Sequence, residues 1–200
     1  MEIFSTFLWI TAIAGGYLLG SVHFCRIIPL AVFKKDICKI SGDKNPGAAN
    51  VFLKFGWKMG LLCLSLDVAK GFIPVFIAVK YLEYGGFLFT LAMLAPVTGH
   101  AFSVFYGFKG GKCIAGIFGE MIALLWISPV GLLLAGLYIF FSTAVKINPN
   151  RKRSILTFSI FSFSSLILEI FLSQIYVGLG CMLVSFISIF KHLINKDDAC

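Results

Sequence analysis

The chain carries apolar stretches of the length needed to cross a lipid bilayer, and nothing else in it limits the fold so strongly. About 20 apolar residues span the hydrocarbon core as a helix. Such stretches lie at 4–25, 59–80, 87–105, 155–172 and 175–190, and a run at 113–145 is too long for one span. That run breaks at Ser128-Pro129, where proline cannot continue a helix, and so divides in two. Seven helices result. The chain is 59% hydrophobic, more than a soluble domain of 200 residues can hide in a core, whereas lipid asks for no hiding. The expected fold is an all-α, polytopic membrane bundle, a single domain over residues 1–200. The first stretch lacks a basic leader and a small-residue cleavage site, so it is expected to be a retained span.

The basic residues give the orientation. Seven of them lie between Arg26 and Lys58, Lys109 and Lys112 flank a glycine pair, Lys146, Arg151, Lys152 and Arg153 share a short loop, and Lys191 and Lys196 lie in the tail. With seven spans all four groups fall on one side, which the positive-inside rule makes cytoplasmic. The N-terminus is then outside and the C-terminus inside. The cytoplasmic segments are loops at about 27–57, 106–113 and 146–154 and the tail 191–200, with residues 28–33 a short interfacial helix. The net charge of +8 is accounted for by this bias, so no nucleic-acid partner is expected. Six cysteines lie far apart with no Cys-x-x-Cys pair; neither a disulfide framework nor a zinc site is expected, and no metal or cofactor.

Polar residue types that bind anions crowd into the cytoplasmic loops. Asn45-Pro46-Gly47-Ala48-Ala49-Asn50 is a turn of small residues with two amide side chains, either a ligand loop or an ordinary lead into a helix capped by Asn50. Lys109-Gly110-Gly111-Lys112 precedes a helix; paired glycines free backbone amides to face an anion, and lysines contact phosphate as point charges. It is not a nucleotide P-loop, because Gly-x-x-x-x-Gly-Lys-Ser/Thr is absent. His100 ends the third span as a helix–helix hydrogen bonder or an acid/base group. Asp67 and Lys70 share a helical face and form an ion pair or line a polar cavity. Glu120 is within reach of the glycine loop, and Glu169 is placed at the outer interface. His192 and Asn195 share a face at the end of the last span.

Taken in order, these pieces resemble the acyl-phosphate:glycerol-3-phosphate acyltransferases, over about residues 20–195. The resemblance rests on Gly20-Ser21, on Asn45-Pro46-Gly47-Ala48-Ala49-Asn50-Val51 with Gly56, and on Leu66-Asp67-x-x-Lys70-Gly71. It continues through Gly99-His100-x-Phe102-x-Val104-Phe105, Phe108-Lys109-Gly110-Gly111-Lys112 and His192-x-x-Asn195. It implies a multi-pass protein of the bacterial cytoplasmic (inner) membrane with its active site facing the cytoplasm. The substrates would be acyl phosphate and glycerol 3-phosphate, and the product lysophosphatidate. It also implies phosphate binding by Lys109, Gly110, Gly111, Lys112, Asn45, Gly47 and Asn50, support from His100, Asp67 and Lys70, and catalytic roles for His192, Asn195 and Asp43. The chain departs from the family pattern. Asp43 stands in place of a functional serine and Leu53 in place of an arginine; Ser103, Cys113 and Gly116 also differ. A carboxylate beside a phosphate is repulsive unless Lys44 or Lys54 pairs with it, or unless it binds the hydroxyls of another acceptor or acts as a base. The chain thus reads as a diverged member; a changed acceptor, or a non-catalytic transporter or scaffold, is the alternative. Oligomeric state has no signature here.

Overall fold

The protein is described from a computed structural model, which covers residues 2–82 and 84–194. Each apolar stretch forms a helix. The order is α1 (Glu2–Ser21), α2 (Phe24–Phe33), α3 (Ile37–Ile40), α4 (Ala48–Phe55), α5 (Trp57–Tyr81), α6 (Phe87–Ala101), a 3-10 turn (Val104–Tyr106), α7 (Ile114–Leu124), α8 (Val130–Thr143), α9 (Asn150–Phe171) and α10 (Ile175–Leu193). The fold is all-α. The long run at 113–145 divides where expected: Pro129 is the N-cap of α8, and the Val130 N–H donates to Ser128 Oγ at 3.1 Å. The short apolar helix at 28–33 extends back to Phe24 as α2.

By length and composition α5, α9 and α10 can cross a membrane, and α1 with α2 forms a pair bent by 42°. The other apolar helices are shorter. The stretch at 87–105 stops as helix at Ala101, because Phe102 leaves helical geometry and the chain turns back through the 3-10 segment. Large apolar side chains such as Phe7, Leu18, Ile77, Phe163 and Ile167 are exposed on the outside of the bundle, as lipid contact permits.

Helix packing follows the membrane rule that small residues let backbones approach. A Cβ on Gly71 would lie 2.0 Å from the Gly116 carbonyl oxygen, and one on Gly119 would lie 2.0 Å from that of Val68, so α5 and α7 touch backbone to backbone. The same holds between α1 and α6, where a Cβ on Gly20 would meet Pro96 O at 2.2 Å. α10 packs on both α6 and α9.

Polar groups inside the bundle tie its turns together. Asp67 and Lys70, 2% and 1% exposed, pair at 3.0 Å, and Lys70 Nζ donates to Val22 O at 2.6 Å. Cys25 Sγ donates to Asp67 Oδ2 at 3.0 Å. This is the ion-pair alternative of the sequence reading, and it fastens α5 to the α1–α2 junction. Glu169 does not face the outer interface: it is buried and accepts a hydrogen bond from Ser128 Oγ, while Gln174 Nε2 donates to Ile127 O at 3.0 Å. The turns before α8 and before α10 are thereby joined. Glu120 is buried with no hydrogen-bond partner among the described residues, so it does not reach the glycine loop. Cys25, Cys63, Cys113 and Cys181 are buried and free.

Replacing Gly71 by alanine should lower the unfolding midpoint in detergent, with an overpacking cost of ~1–3 kcal/mol. Gly15→Ala, where the new Cβ meets nothing within 4 Å, should leave the midpoint unchanged or slightly raised. Equal midpoints for the two variants would mean that α5 and α7 are not in backbone contact.

Candidate active site

The loop between α3 and α4 curls around one carboxylate. Asp43 Oδ1 accepts from Asn50 Nδ2 at 2.7 Å and from the Asn45 backbone N–H at 3.3 Å. Asn50 Nδ2 also donates to Asn45 O at 2.8 Å. Asn50 therefore clamps the turn from inside the first turn of α4, and the N-cap is Gly47 rather than Asn50. Gly47 packs against the Asn45 side chain, and a Cβ there would lie 2.5 Å from Asn45 Nδ2 and displace that amide.

The glycine loop lies across the end of α6. Ser103 and Lys109 form an isolated antiparallel bridge, with Ser103 N donating to Lys109 O at 3.2 Å and Ser103 Oγ to Ser21 O at 2.7 Å. A Cβ on Gly110 would fall 2.1 Å from His100 O, and one on Gly111 would fall 2.3 Å from His100 Nε2. The glycines are thus needed for close passage over His100. The Gly111 N–H donates to His100 O at 3.0 Å, so of the two amides expected to face an anion this one faces the protein. His100 supports the loop through its carbonyl, which also contacts His23 Nε2 at 3.2 Å. A carbonyl can only accept, so His23 carries its proton on Nε2. The His23 ring stacks on Tyr106 at 4.7 Å, and the Arg26 guanidinium, paired with Asp36 at 2.8 Å, lies 4.9 Å from the centre of the same Tyr106 ring.

Lys112 joins the pieces. Its Nζ donates to Asp43 Oδ2 at 2.6 Å, and its carbonyl accepts from Ser188 Oγ of α10 at 2.9 Å. His192 Nδ1 contacts Ser188 O at 2.8 Å, which places the proton on Nδ1 and leaves the Nε2 lone pair available. Arg151 of α9 donates to Leu193 O at 2.9 Å and holds the end of α10. Lys109 is exposed and is held through its backbone, in the bridge to Ser103. Asp67 and Lys70 contact each other, Cys25 and Val22, and neither touches the two loops among the described residues; Asn195 lies outside those residues. The cation on Asp43 is Lys112, where the sequence pointed to Lys44 or Lys54. His23, Ser188 and Arg151 were not singled out in the sequence. Arg151 was visible as a loop cation, but a histidine beside Gly20-Ser21 and a serine in an apolar helix carry no distinctive pattern.

The charge balance at Asp43 is set by opposing effects. Partial burial works against its charge, but the hydrogen bonds from Lys112 and Asn50 and the Lys112 charge outweigh it and hold the carboxyl below its usual range. Beside the site, an apolar groove of about 280 Å³ runs between α6 and α10, lined by Leu94, Phe102, Leu183, Phe186, Ile187 and Phe190. The Lys191 Nζ lies 5.2 Å from the ring centre of Phe102, one of the lining residues. The groove ends at Phe102 and Phe190, next in the chain to Ser103 and Lys191.

The chain is similar to known proteins over most of its length. The sequence model of a family described as Glycerol-3-phosphate acyltransferase matches residues 10–198. A glycerol-3-phosphate acyltransferase of Leptospira borgpetersenii serovar Hardjo-bovis (strain JB197) is 46% identical over 109 residues, 54% of this chain and 50% of the relative; the chain thus spans about half that protein's length. One from Francisella philomiragia subsp. philomiragia is 31% identical over 186 residues, covering 93% of this chain and 86% of the relative. The crystal structure of PlsY (YgiH), an integral membrane glycerol 3-phosphate acyltransferase, in its glycerol 3-phosphate form superposes with a TM-score of 0.78 at 31% identity, covering 92% of this chain and 88% of that one. Its lysophosphatidic acid form gives 0.75 at 32% identity.

Because the folded-state carboxyl of Asp43 is depressed, its contribution to stability is present above the ordinary aspartate range near pH ~3.9 and is lost as pH falls through the lowered value. Thermal melts should therefore show Asp43→Asn less stable than wild type at neutral pH, with the gap closing in acid. A gap that stays constant down to strong acid would mean that the carboxylate charge is not what stabilises the loop.

Proposed function

The chain belongs to the glycerol-3-phosphate acyltransferase family, and from that premise we propose that it transfers an acyl group from acyl phosphate to the 1-hydroxyl of glycerol 3-phosphate, giving lysophosphatidate. The observation that carries this reading is the convergence of the Asn-Pro-Gly turn, the Gly-Gly-Lys loop and the end of α10 on Lys112, beside an apolar groove. The reaction joins the acceptor's hydroxyl oxygen to the acyl carbon, breaks the bond from that carbon to the phosphate oxygen, and releases inorganic phosphate. An acyl phosphate is already activated, so alignment and charge stabilisation suffice without a covalent enzyme intermediate.

In this reading Lys112, Asn45 and Asn50 hold the acceptor's phosphate, Gly47 and Gly110 let the two loops pack closely on Asn45 and His100, and Lys109 draws anions toward the mouth. His192 Nε2 takes the proton of the attacking hydroxyl, its ring fixed by Ser188. Asp43 is not given the base role, because both its oxygens already accept hydrogen bonds from the loop donors. The acyl chain lies in the groove between α6 and α10, with its carbonyl at the Phe102 end. The basic bias of the loops supports a cytoplasmic site and a C-terminus inside, with seven helices in the inner membrane of a bacterium.

Purified protein in detergent, given acyl phosphate and labelled glycerol 3-phosphate, should produce labelled lysophosphatidate. Lys112→Ala should lower kcat/KM by about a hundredfold or more, the scale expected when one partner of a close charged contact is truncated. An unchanged rate in that variant would remove the glycine loop from the site, and no product from wild type would defeat the activity.

A further inference from the structure

The Asp43 carboxylate is coordinated as a bound oxyanion would be. One oxygen takes the Lys112 ammonium at 2.6 Å; the other takes the Asn50 side-chain amide at 2.7 Å and the Asn45 backbone N–H at 3.3 Å. These donors come from two loops 69 residues apart in the chain, and they include the residues on which the proposed phosphate site depends. We propose that Asp43 is a resident anion in the phosphate subsite, so that an acceptor's phosphate binds only by displacing this carboxylate from Lys112 and Asn50. The inference rests on reading this pocket as the acceptor site.

Three features support it. The pair is within reach of solvent, with the Lys112 and Asp43 side chains 25% and 37% exposed, so exchange of one anion for another needs no unfolding. The Asn50 amide that holds the carboxylate is itself fixed by Asn45 O, so the donors persist when the carboxylate swings away. With Lys112 already neutralised, a phosphate group entering beside Asp43 meets a like charge at contact distance, where such repulsion is strongest. A neutral polyol head group meets instead a hydrogen-bond acceptor. Asp43 thereby acts as a specificity-determining residue: it weakens phosphorylated acceptors relative to uncharged hydroxyl acceptors. The substitution that relieves this is a small neutral side chain at position 43.

The test measures binding of inorganic phosphate by titration calorimetry on the full-length protein in detergent. Wild type, Asp43→Asn, Asp43→Ser, Lys112→Ala and the double variant Asp43→Asn/Lys112→Ala are compared at one ionic strength. Both single substitutions at Asp43 should bind phosphate at least about tenfold tighter than wild type, and the gain should vanish in the double variant. No gain, or weaker binding, in the folded Asn and Ser variants would overturn the proposal. So would a gain that survives loss of Lys112, since that would reflect net charge alone. Asparagine matches aspartate in shape and keeps an acceptor for Asn50, and the serine variant guards against a local defect in one of them. In turnover, the KM for glycerol 3-phosphate should fall in Asp43→Asn by more than kcat changes. If no variant turns over, the proposed activity fails, and the phosphate titration still decides the role of Asp43.

Discussion

The contact between Lys112 and Asp43 is the point on which the loop-bearing end of the molecule is organised. Through it the loop after α3 is held against the loop after α6, and through the Lys112 carbonyl both are held to Ser188 of α10. Each of these segments is short and polar and would have no reason to sit still by itself. The fixed frame comes from below, where His100 at the end of α6 accepts from Gly111 and His23, and Lys70 grips the end of α1 at Val22. A half-exposed ion pair on a surface contributes little to stability. This one matters because it joins two loops that lie 69 residues apart in the chain.

The bilayer explains why the frame can be so rigid. Without water to receive stray polar groups, each buried one needs a partner within the bundle. Asp67 and Lys70 find each other and a backbone carbonyl; Ser128 and Glu169 close the opposite end. Removing one partner of such a buried pair costs several kcal/mol in general, about 3–5, because the other is left uncompensated. Between these polar fastenings the helices are brought into backbone contact at Gly71, Gly119 and Gly20, where lipid supplies no hydrophobic drive and only close packing holds.

Much of this was legible in the sequence because it depends on local rules. Long apolar runs became helices, and proline broke the longest run at Ser128-Pro129. The Asn-Pro-Gly turn, the Gly-Gly-Lys loop and His192 were visible as ligand-type residues in loops and at a helix end. What was not legible depends on which distant segments meet. Lys44 and Lys54 are neighbours of Asp43 along the chain, yet Lys112 pairs with it, since the fold and not the separation decides proximity. Gly111 looked like an anion-facing amide because a glycine pair says that backbone is close to something, without saying to what; here it is His100. Glu169 looked like an outer-interface residue because its partner, Ser128, stands 41 residues away in a turn that only packing brings near.

The central claim is that Asp43 and Lys112 are in direct contact in the membrane-embedded protein. Zero-length carbodiimide coupling joins a carboxylate to an amine only when the two touch, and peptide mass spectrometry identifies the pair. Treated membranes containing the wild-type protein should yield an amide crosslink between Asp43 and Lys112. Recovery of Asp43 joined to Lys44 or Lys54 instead, with Lys112 unmodified, would contradict the account.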